Sequence, residues 1–300
     1  MLQRYQQQNP KQIEEPTEMA TTVATAKRVS APWFSQFATM ASRQISLIFA
    51  DFGYLLFLLI LPVIVGLLIV VVPGSSGLSA ASNSSPAEPS QLLAMLVIGS
   101  AFMGASISIR DLVGERPIYL RERAVGLSIS AYLASKLFIF GLFSWFMAGM
   151  LTYVTLVAKP APIQSVFFES PVLELFLALG LTSMAAMVTG LLLSSLVKSS
   201  EQVMPLFVVF LMAQLVLNGG LLPIEAQSFI STIAYGVIAR WGFAMAASSV
   251  NLGAISPSLD EDSWWTHDLA TWSTDAAILL ATTIILITLS RIRLESRYDR

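Results

Sequence analysis

The chain has 300 residues, of which 55% are hydrophobic and 12% charged, with no cysteine and a formal net charge of −2. A soluble domain carries roughly 25% charged residues, so this balance defines an integral membrane protein rather than a soluble enzyme. The lack of cysteine excludes disulfides, thiolate metal sites and cysteine nucleophiles, and the near-neutral charge gives no footing for a nucleic-acid partner.

Residues 1–30, which begin MLQRYQQQNPKQIEEPTEM, are polar, rich in Gln and Thr, and lack the apolar core of a secretory signal. They read as a flexible cytoplasmic lead or linker ahead of a membrane domain over 31–300. Next, APWFSQFATMASRQISLIFADFG sets Trp33, Phe37, Met40, Ile45, Ile48 and Phe49 at roughly helical spacing, interrupted by Gln36, Arg43 and Gln44. That pattern predicts a helix lying in the membrane interface. A cytoplasmic helix packed on a soluble neighbour is the plainer alternative.

A crossing helix needs about 20 apolar residues. Six segments qualify: about 52–72 with Pro62 inside, 92–109, 132–157, 172–197, 203–222 and 274–290. The last is short and borrows TWSTD at its start. With an even number of spans, all 17 Lys and Arg residues except Lys159 and Arg240 fall on one side, a strong positive-inside bias that puts both termini in the cytoplasm. Phe229 to Val250 is long enough to be a seventh span, but it would bring Arg240 near the bilayer centre at a cost of roughly 3 kcal/mol. It is read instead as re-entrant or interfacial helices, followed by an acidic loop with Trp264, Trp265 and Trp272 at headgroup depth. The predicted fold class is therefore all-α integral membrane: six transmembrane helices with an N-terminal interfacial helix and re-entrant or interfacial helices between spans five and six, placed in the plasma membrane.

Within the spans, Ser100, Gly104 and Ser108 share one face, and close helix packing is the first reading of such small residues. Gln214 and Asn218 lie one turn apart in an otherwise apolar segment, so they face a partner helix or a substrate path. The single histidine, His267, reads as an exposed loop residue, and Asp260, Glu261, Asp262 and Asp268 lack the ligand spacing of a calcium loop. No metal site is expected.

The charge is concentrated in one stretch. Arg110, Asp111, Glu115, Arg116, Arg121, Glu122, Arg123 and Lys136 form the largest loop between spans, after span two. Pro117 suits a first helical turn, Gly126 a left-handed helix end, and Ser128 or Ser130 the cap of span three. Ordinary positive-inside charge accounts for the bases alone. The interleaved acids point to a surface that docks through specific ion pairs.

The stretch GERPIYLRERAVGLSISAYLASK resembles the loop after the second span in G-subfamily ABC transporters and bacterial type 2 exporter permeases, whose form is approximately E-R-x-x-(F/Y)-x-R-E-(R/Q)-x-x-G-x4-A-Y-x-x-(S/A)-K. Glu115, Arg116, Tyr119, Arg121, Glu122, Arg123, Gly126, Ala131, Tyr132, Ser135 and Lys136 fill those places. The resemblance extends from about Trp33 to Arg297 and is closest to bacterial proteins in which an ATPase precedes the membrane part. It implies that the loop is a coupling helix on a nucleotide-binding domain, with Glu115, Arg116, Tyr119, Arg121, Glu122 and Arg123 making the contact. It also implies Phe102 as a cavity wall, Gln214 and Asn218 on the substrate path, and Leu221 and Leu222, after the pair Gly219 and Gly220, as an outer gate.

One departure is plain: these residues contain no G-x-x-x-x-G-K-(S/T) loop to cradle nucleotide phosphates. The chain is thus expected to be a permease and not itself an enzyme, binding no cofactor. ATP and Mg would sit on a partner ABC ATPase subunit or domain, and two membrane halves would pair as a homodimer or heterodimer. The expected function is the permease half of an ATP-driven exporter of a lipid-like or amphipathic substrate. The alternative is a non-transporting membrane scaffold or sensor, or a remnant of a split transporter gene.

Overall fold

The computed structural model describes residues 31–81, 85–221, 229–256 and 265–298. The chain divides into Met1–Ala31 and Pro32–Arg300, and every described helix belongs to the second unit. The linker expected over 1–30 lies outside the described residues, as do Trp264 and the acids at 260–262. Among the described residues the secondary structure is entirely helical.

Helix α1 (Trp33–Ala50) precedes α2 (Phe52–Val70), the first long apolar helix. Asp51 separates them, and its carboxylate accepts the Tyr54 N–H at 3.0 Å as an N-cap. Next come α3 (Glu88–Ser108), the short α4 (Asp111–Gly114), α5 (Arg116–Ala124) and α6 (Ile129–Ala158). Then follow α7 (Pro171–Leu196), α8 (Ser200–Val216), α9 (Phe229–Ala234), α10 (Ile238–Val250), α11 (Leu252–Ile255) and α12 (Leu269–Tyr298). Five of these are long and apolar enough to cross a membrane, and α8 is a shorter apolar helix.

Helix α7 is the central post, with α3, α6, α10 and α12 packed around it. Small residues allow the close approach: a Cβ on Gly104 would lie 2.0 Å from the Ser183 carbonyl oxygen. Ser108 Oγ donates to the Met187 carbonyl at 2.7 Å, and the Ser144 and Ser183 hydroxyls bond at 2.9 Å. The stripe at Ser100, Gly104 and Ser108 is thus a packing surface. Helices α3 and α7 are mostly buried along their apolar lengths, whereas α2 and α12 are mostly exposed. That exposed apolar surface is what a lipid environment requires of peripheral spans.

The segment from Phe229 to Val250 breaks as expected. Gly236 and the extended Val237 (φ −99°, ψ 124°) separate α9 from α10. The 13 residues of α10 rise only about 20 Å, short of the roughly 30 Å hydrocarbon core. It is buried on nearly all sides against protein.

Two expectations are corrected. Span five was placed over 203–222, but α8 stops at Val216. Asn218 ends it: its Oδ1 accepts the Gly220 and Leu221 N–H groups, at 2.7 and 3.2 Å, and Gly219 takes φ +84°. Trp265, expected at headgroup depth, is buried instead, with its ring edge-on to Phe243 at 5.5 Å. Hydropathy sets an indole at the interface by default, and here the protein interior reaches it first. Span six is longer than read, because TWSTD lies wholly inside α12.

Candidate functional site

The charged stretch folds into two short helices at one end of the bundle. Pro117 lies in the first turn of α5, and Gly126 ends it at φ +115°, a conformation in which a side chain would be strained. Ser128 holds the N-cap position of α6, although its hydroxyl bonds to Ser130 rather than to the helix backbone. The loop start is tied to α7 by the Val113 N–H, which donates to Ser194 Oγ at 3.0 Å.

The acids of this stretch turn inward. Glu115 Oε2 accepts from Lys136 Nζ at 2.8 Å, Arg43 Nη2 at 3.1 Å and Tyr132 Oη at 3.1 Å. Arg43 Nη1 reaches Glu122 Oε1 at 2.6 Å, closing a fork from α1 onto α5. Lys136, only 2% exposed, also donates to Asp111 Oδ1 at 2.9 Å and to Gln44 Oε1. Gln36 accepts the Ser128 N–H at 2.7 Å, and Trp33 Nε1 donates to Ser130 Oγ at 3.0 Å. Gln36, Arg43 and Gln44, which break the apolar pattern of α1, are therefore the pins that hold it to α5 and α6. The apolar residues Phe34, Ile45 and Phe49 remain exposed, which suits a helix bedded in a membrane interface.

Of the coupling residues read from the sequence, Tyr119 is buried, its ring 4.8 Å from that of Tyr132. Arg123 bends back to donate to the Leu127 carbonyl at 2.7 Å. Arg116 is half-buried, and its side chain shares a small crevice with Leu112, Tyr119 and Leu294 of α12. Arg121 alone of the six is exposed. It shares the outer side of α5 with Pro117, Ile118, Ala124 and Val125, the last 79% exposed. The interleaved acids thus serve ion pairs within the chain, and the outward face is apolar around one arginine. The sequence signal for it was Ile118 and Val125 standing in a charged loop.

Beside this network opens a cleft of about 690 Å³. Its polar end holds Gln44, Arg110, Asp111 and Glu115, and its apolar walls are Phe57, Phe102, Phe140, Met204 and Phe207. Phe102 stacks on Phe207 with ring centroids 5.9 Å apart. Gln214 and Asn218 do not line it. Both are buried: Gln214 Oε1 accepts the Ala239 N–H at 2.8 Å at the start of α10, and Asn218 holds the turn that ends α8. Leu221 is partly buried against the core; Leu222 lies outside the described residues.

A layer of packed spans, a pinned amphipathic lead helix and a charged two-helix loop after span two together define a transporter membrane domain. The chain belongs to the ABC-2 type transporter family, whose model matches residues 35–250, from within α1 to the end of α10. It is similar to an ABC transporter ATP-binding/permease protein of Mycobacterium tuberculosis, at 39% identity over 283 residues. That match covers 93% of this chain and 32% of the relative, so the chain spans about a third of the relative's length.

Proposed function

We propose that the chain is the permease half of an ATP-driven exporter. It would be coupled to an ABC ATPase through α4 and α5 and would work as a pair of membrane halves in the plasma membrane, with both termini cytoplasmic. The observation that carries this reading is the construction of α5. Its inner side is fastened to α1 and α6 by Arg43, Glu115, Glu122 and Lys136, while Ile118, Arg121 and Val125 face outward with apolar surface and one cation. A helix rigid on its inner side and apolar on its outer side suits transmission of movement from a docked domain. The name of the mycobacterial relative, an ATP-binding/permease protein, supports an ATPase that is either a separate subunit or part of the same polypeptide. ATP and Mg would be held there.

The cargo we infer is a lipid-like or amphipathic molecule, because the cleft combines a polar end with aromatic walls that include Phe102. Gln214 and Asn218 bear on the path through the backbone they hold. Leu221 and Leu222 would close it at the far end, since leucine contacts exclude water yet part readily.

The test is purification from native membranes in mild detergent. An ABC ATPase should accompany the chain stoichiometrically or be continuous with it, and ATP hydrolysis should respond to lipid-like substrates. Substituting Ile118→Asp together with Arg121→Glu should abolish that response while leaving thermal melting unchanged. Absence of any ATPase, or an unaltered response in the variant, would sink the proposal.

A further inference from the structure

Helix α6 carries an apolar stripe that the charged loop does not explain. Phe138, Leu142, Phe146, Tyr153 and Val157 are all exposed, and spacings of four and seven residues place them on one side of the helix. From Phe138 to Val157 the stripe runs about 29 Å at the helical rise, close to the roughly 30 Å of the hydrocarbon core. An exposed apolar face of that length on a spanning helix meets lipid along its whole course.

In the half of α6 away from the charged loop, the stripe sinks into a groove of about 590 Å³ between α6 and the start of α7. Leu156 and Val157 form one wall, and Val172 and Leu173 the other. Gly149 and Phe176 lie at its deep end, and Ala161 and Ser170 border it where the two helices are joined. A Cβ on Gly149 would lie 3.3 Å from the Phe176 ring, so the glycine leaves room for that ring. Phe176 is in turn set edge-on to Trp145 at 5.3 Å, which fixes the deep end.

The lining indicates what fills the groove. None of its side chains is charged. Thr152 Oγ1 donates to the Ala148 carbonyl at 2.8 Å and is thereby satisfied. Ser170 Oγ accepts the Leu173 N–H at 3.4 Å, but its own proton has no acceptor among the described residues, and nor has that of Tyr153. The groove thus offers apolar walls and two spare hydroxyl donors. A helix of a second copy is about 10–12 Å across, too broad to enter between two helices that are in contact. A single hydrocarbon chain can enter, and without one the walls would forfeit their dispersion contacts.

We infer that this groove holds one acyl chain of an ester-linked phospholipid from the leaflet at that end. The hydroxyls of Ser170 and Tyr153 donate to the ester carbonyls at the head of the chain. Lipid tails are as apolar as leucine, so preference for this place over the rest of the stripe comes from enclosure and those hydrogen bonds, not from hydrophobicity. The inference needs only that α6 and α7 span a membrane, and not that the chain exports anything.

The experiment uses the full chain in liposomes of phosphatidylcholine containing a trace of the same lipid with a diazirine midway along one chain. After photolysis, peptide mapping compares label on residues 149–157 and 170–176 with label on 138–146, the part of the stripe outside the groove. At least fivefold more label in the groove is expected. Replacing the host lipid by its ether-linked form, a poorer hydrogen-bond acceptor, should raise groove labelling by the ester probe at least threefold. Leu173→Trp, which fills the groove from its rim, should lower groove labelling at least fivefold while leaving 138–146 and the melting temperature unchanged. Even labelling along the stripe overturns the inference, as does a labelling ratio that is indifferent to the ether host or, in a folded protein, to Leu173→Trp. Should that variant fail to fold, the labelling profile and the ether host decide. The chain has no cysteine of its own, so efficient disulfide dimers of a Val157→Cys chain in the same liposomes would show a second copy over the groove and overturn the inference as well.

Discussion

The two ends of the bundle use the same chemistry, a lysine at either end of α6 paired with carboxylates, in opposite settings. At the loop end Lys136 meets Asp111 and Glu115, and the network continues outward to Arg43 and Glu122, whose side chains are 28% and 27% exposed. At the far end Lys159 and Glu88 pair at 2.8 Å with side chains only 6% and 0% exposed. Lys159 Nζ also donates to the Val72 and Gly74 carbonyls, and Glu88 Oε2 accepts the Ser76 N–H. The far pair is sealed and ties the ends of α2, α3 and α6 into one block. The loop network grades from a buried lysine to half-wet arginine forks, so its outer members can exchange partners at low cost while the inner one holds. A buried pair does not tolerate the loss of one partner; a hydrated one is adjustable.

The comparison breaks most visibly at Lys159. Lys159→Met leaves Glu88 buried and unpaired, which should cost about 3–5 kcal/mol and abolish folding or lower the detergent melting temperature sharply. The double variant Glu88→Gln, Lys159→Met should recover much of that loss. Failure of the double variant to recover would mean that the backbone carbonyls, not the carboxylate, set the need for the lysine.

A smaller effect is expected at the loop end. Arg43→Glu faces Glu115 and Glu122 with a like charge, and the part-exposed pairs it replaces should be worth about 1 kcal/mol. Melting should therefore shift only a few degrees, while the ATPase response to substrate falls if α5 docks an ATPase as proposed. The charge swap Arg43→Glu with Glu122→Arg should restore part of that response; if it restores none, α1 and α5 are not coupled through this fork.

The smallest effect sharpens the contrast without mutation. Raising ionic strength from about 0.05 to 1 M shortens the screening length to about 3 Å. It should speed amide hydrogen exchange around residues 122–128 severalfold and leave that of Ser76 and Leu78 unchanged. Equal responses at the two ends would remove the distinction between sealed and hydrated pairs.

Much of this was legible beforehand. The long apolar helices other than the fifth, the reading of 229–250 as short helices rather than a seventh span, the α5 helix with Pro117 at its start and Gly126 at its end, and the packing stripe on α3 all follow from local rules of hydropathy, backbone preference and residue size. What escaped is long-range and polar. Arg43 and Glu122 are 79 residues apart, and nothing in the spacing of either announces the other. Gln36 and Gln44 looked like interruptions because a periodicity argument counts only apolar residues. The two basic residues that the positive-inside count leaves on the other side, Lys159 and Arg240, are buried among protein groups, a setting that a count of charges does not contain. Asn218 ends α8 by hydrogen bonds to its own turn, which a search for apolar length passes over. The charged loop follows the same division. Its helix and both helix ends could be read from the sequence, but not which side of that nine-residue helix would face the protein.

Helix α6 gives the two ends a mechanical relation. It runs 30 residues from Ile129 to Ala158 without a proline, whereas α2 and α8 carry Pro62 and Pro205. Lys136 grips one end, and Lys159, the residue that caps it, grips the other. The stretch between them is about 35 Å at the helical rise, slightly more than the hydrocarbon thickness. An uninterrupted helix is stiff along its axis, because shortening it means breaking hydrogen bonds in series. A push delivered to the loop would therefore reach the far block as a shift or tilt of a strut clamped at both ends, with little lost to bending, and the compliance of the molecule would lie in its proline-bearing helices.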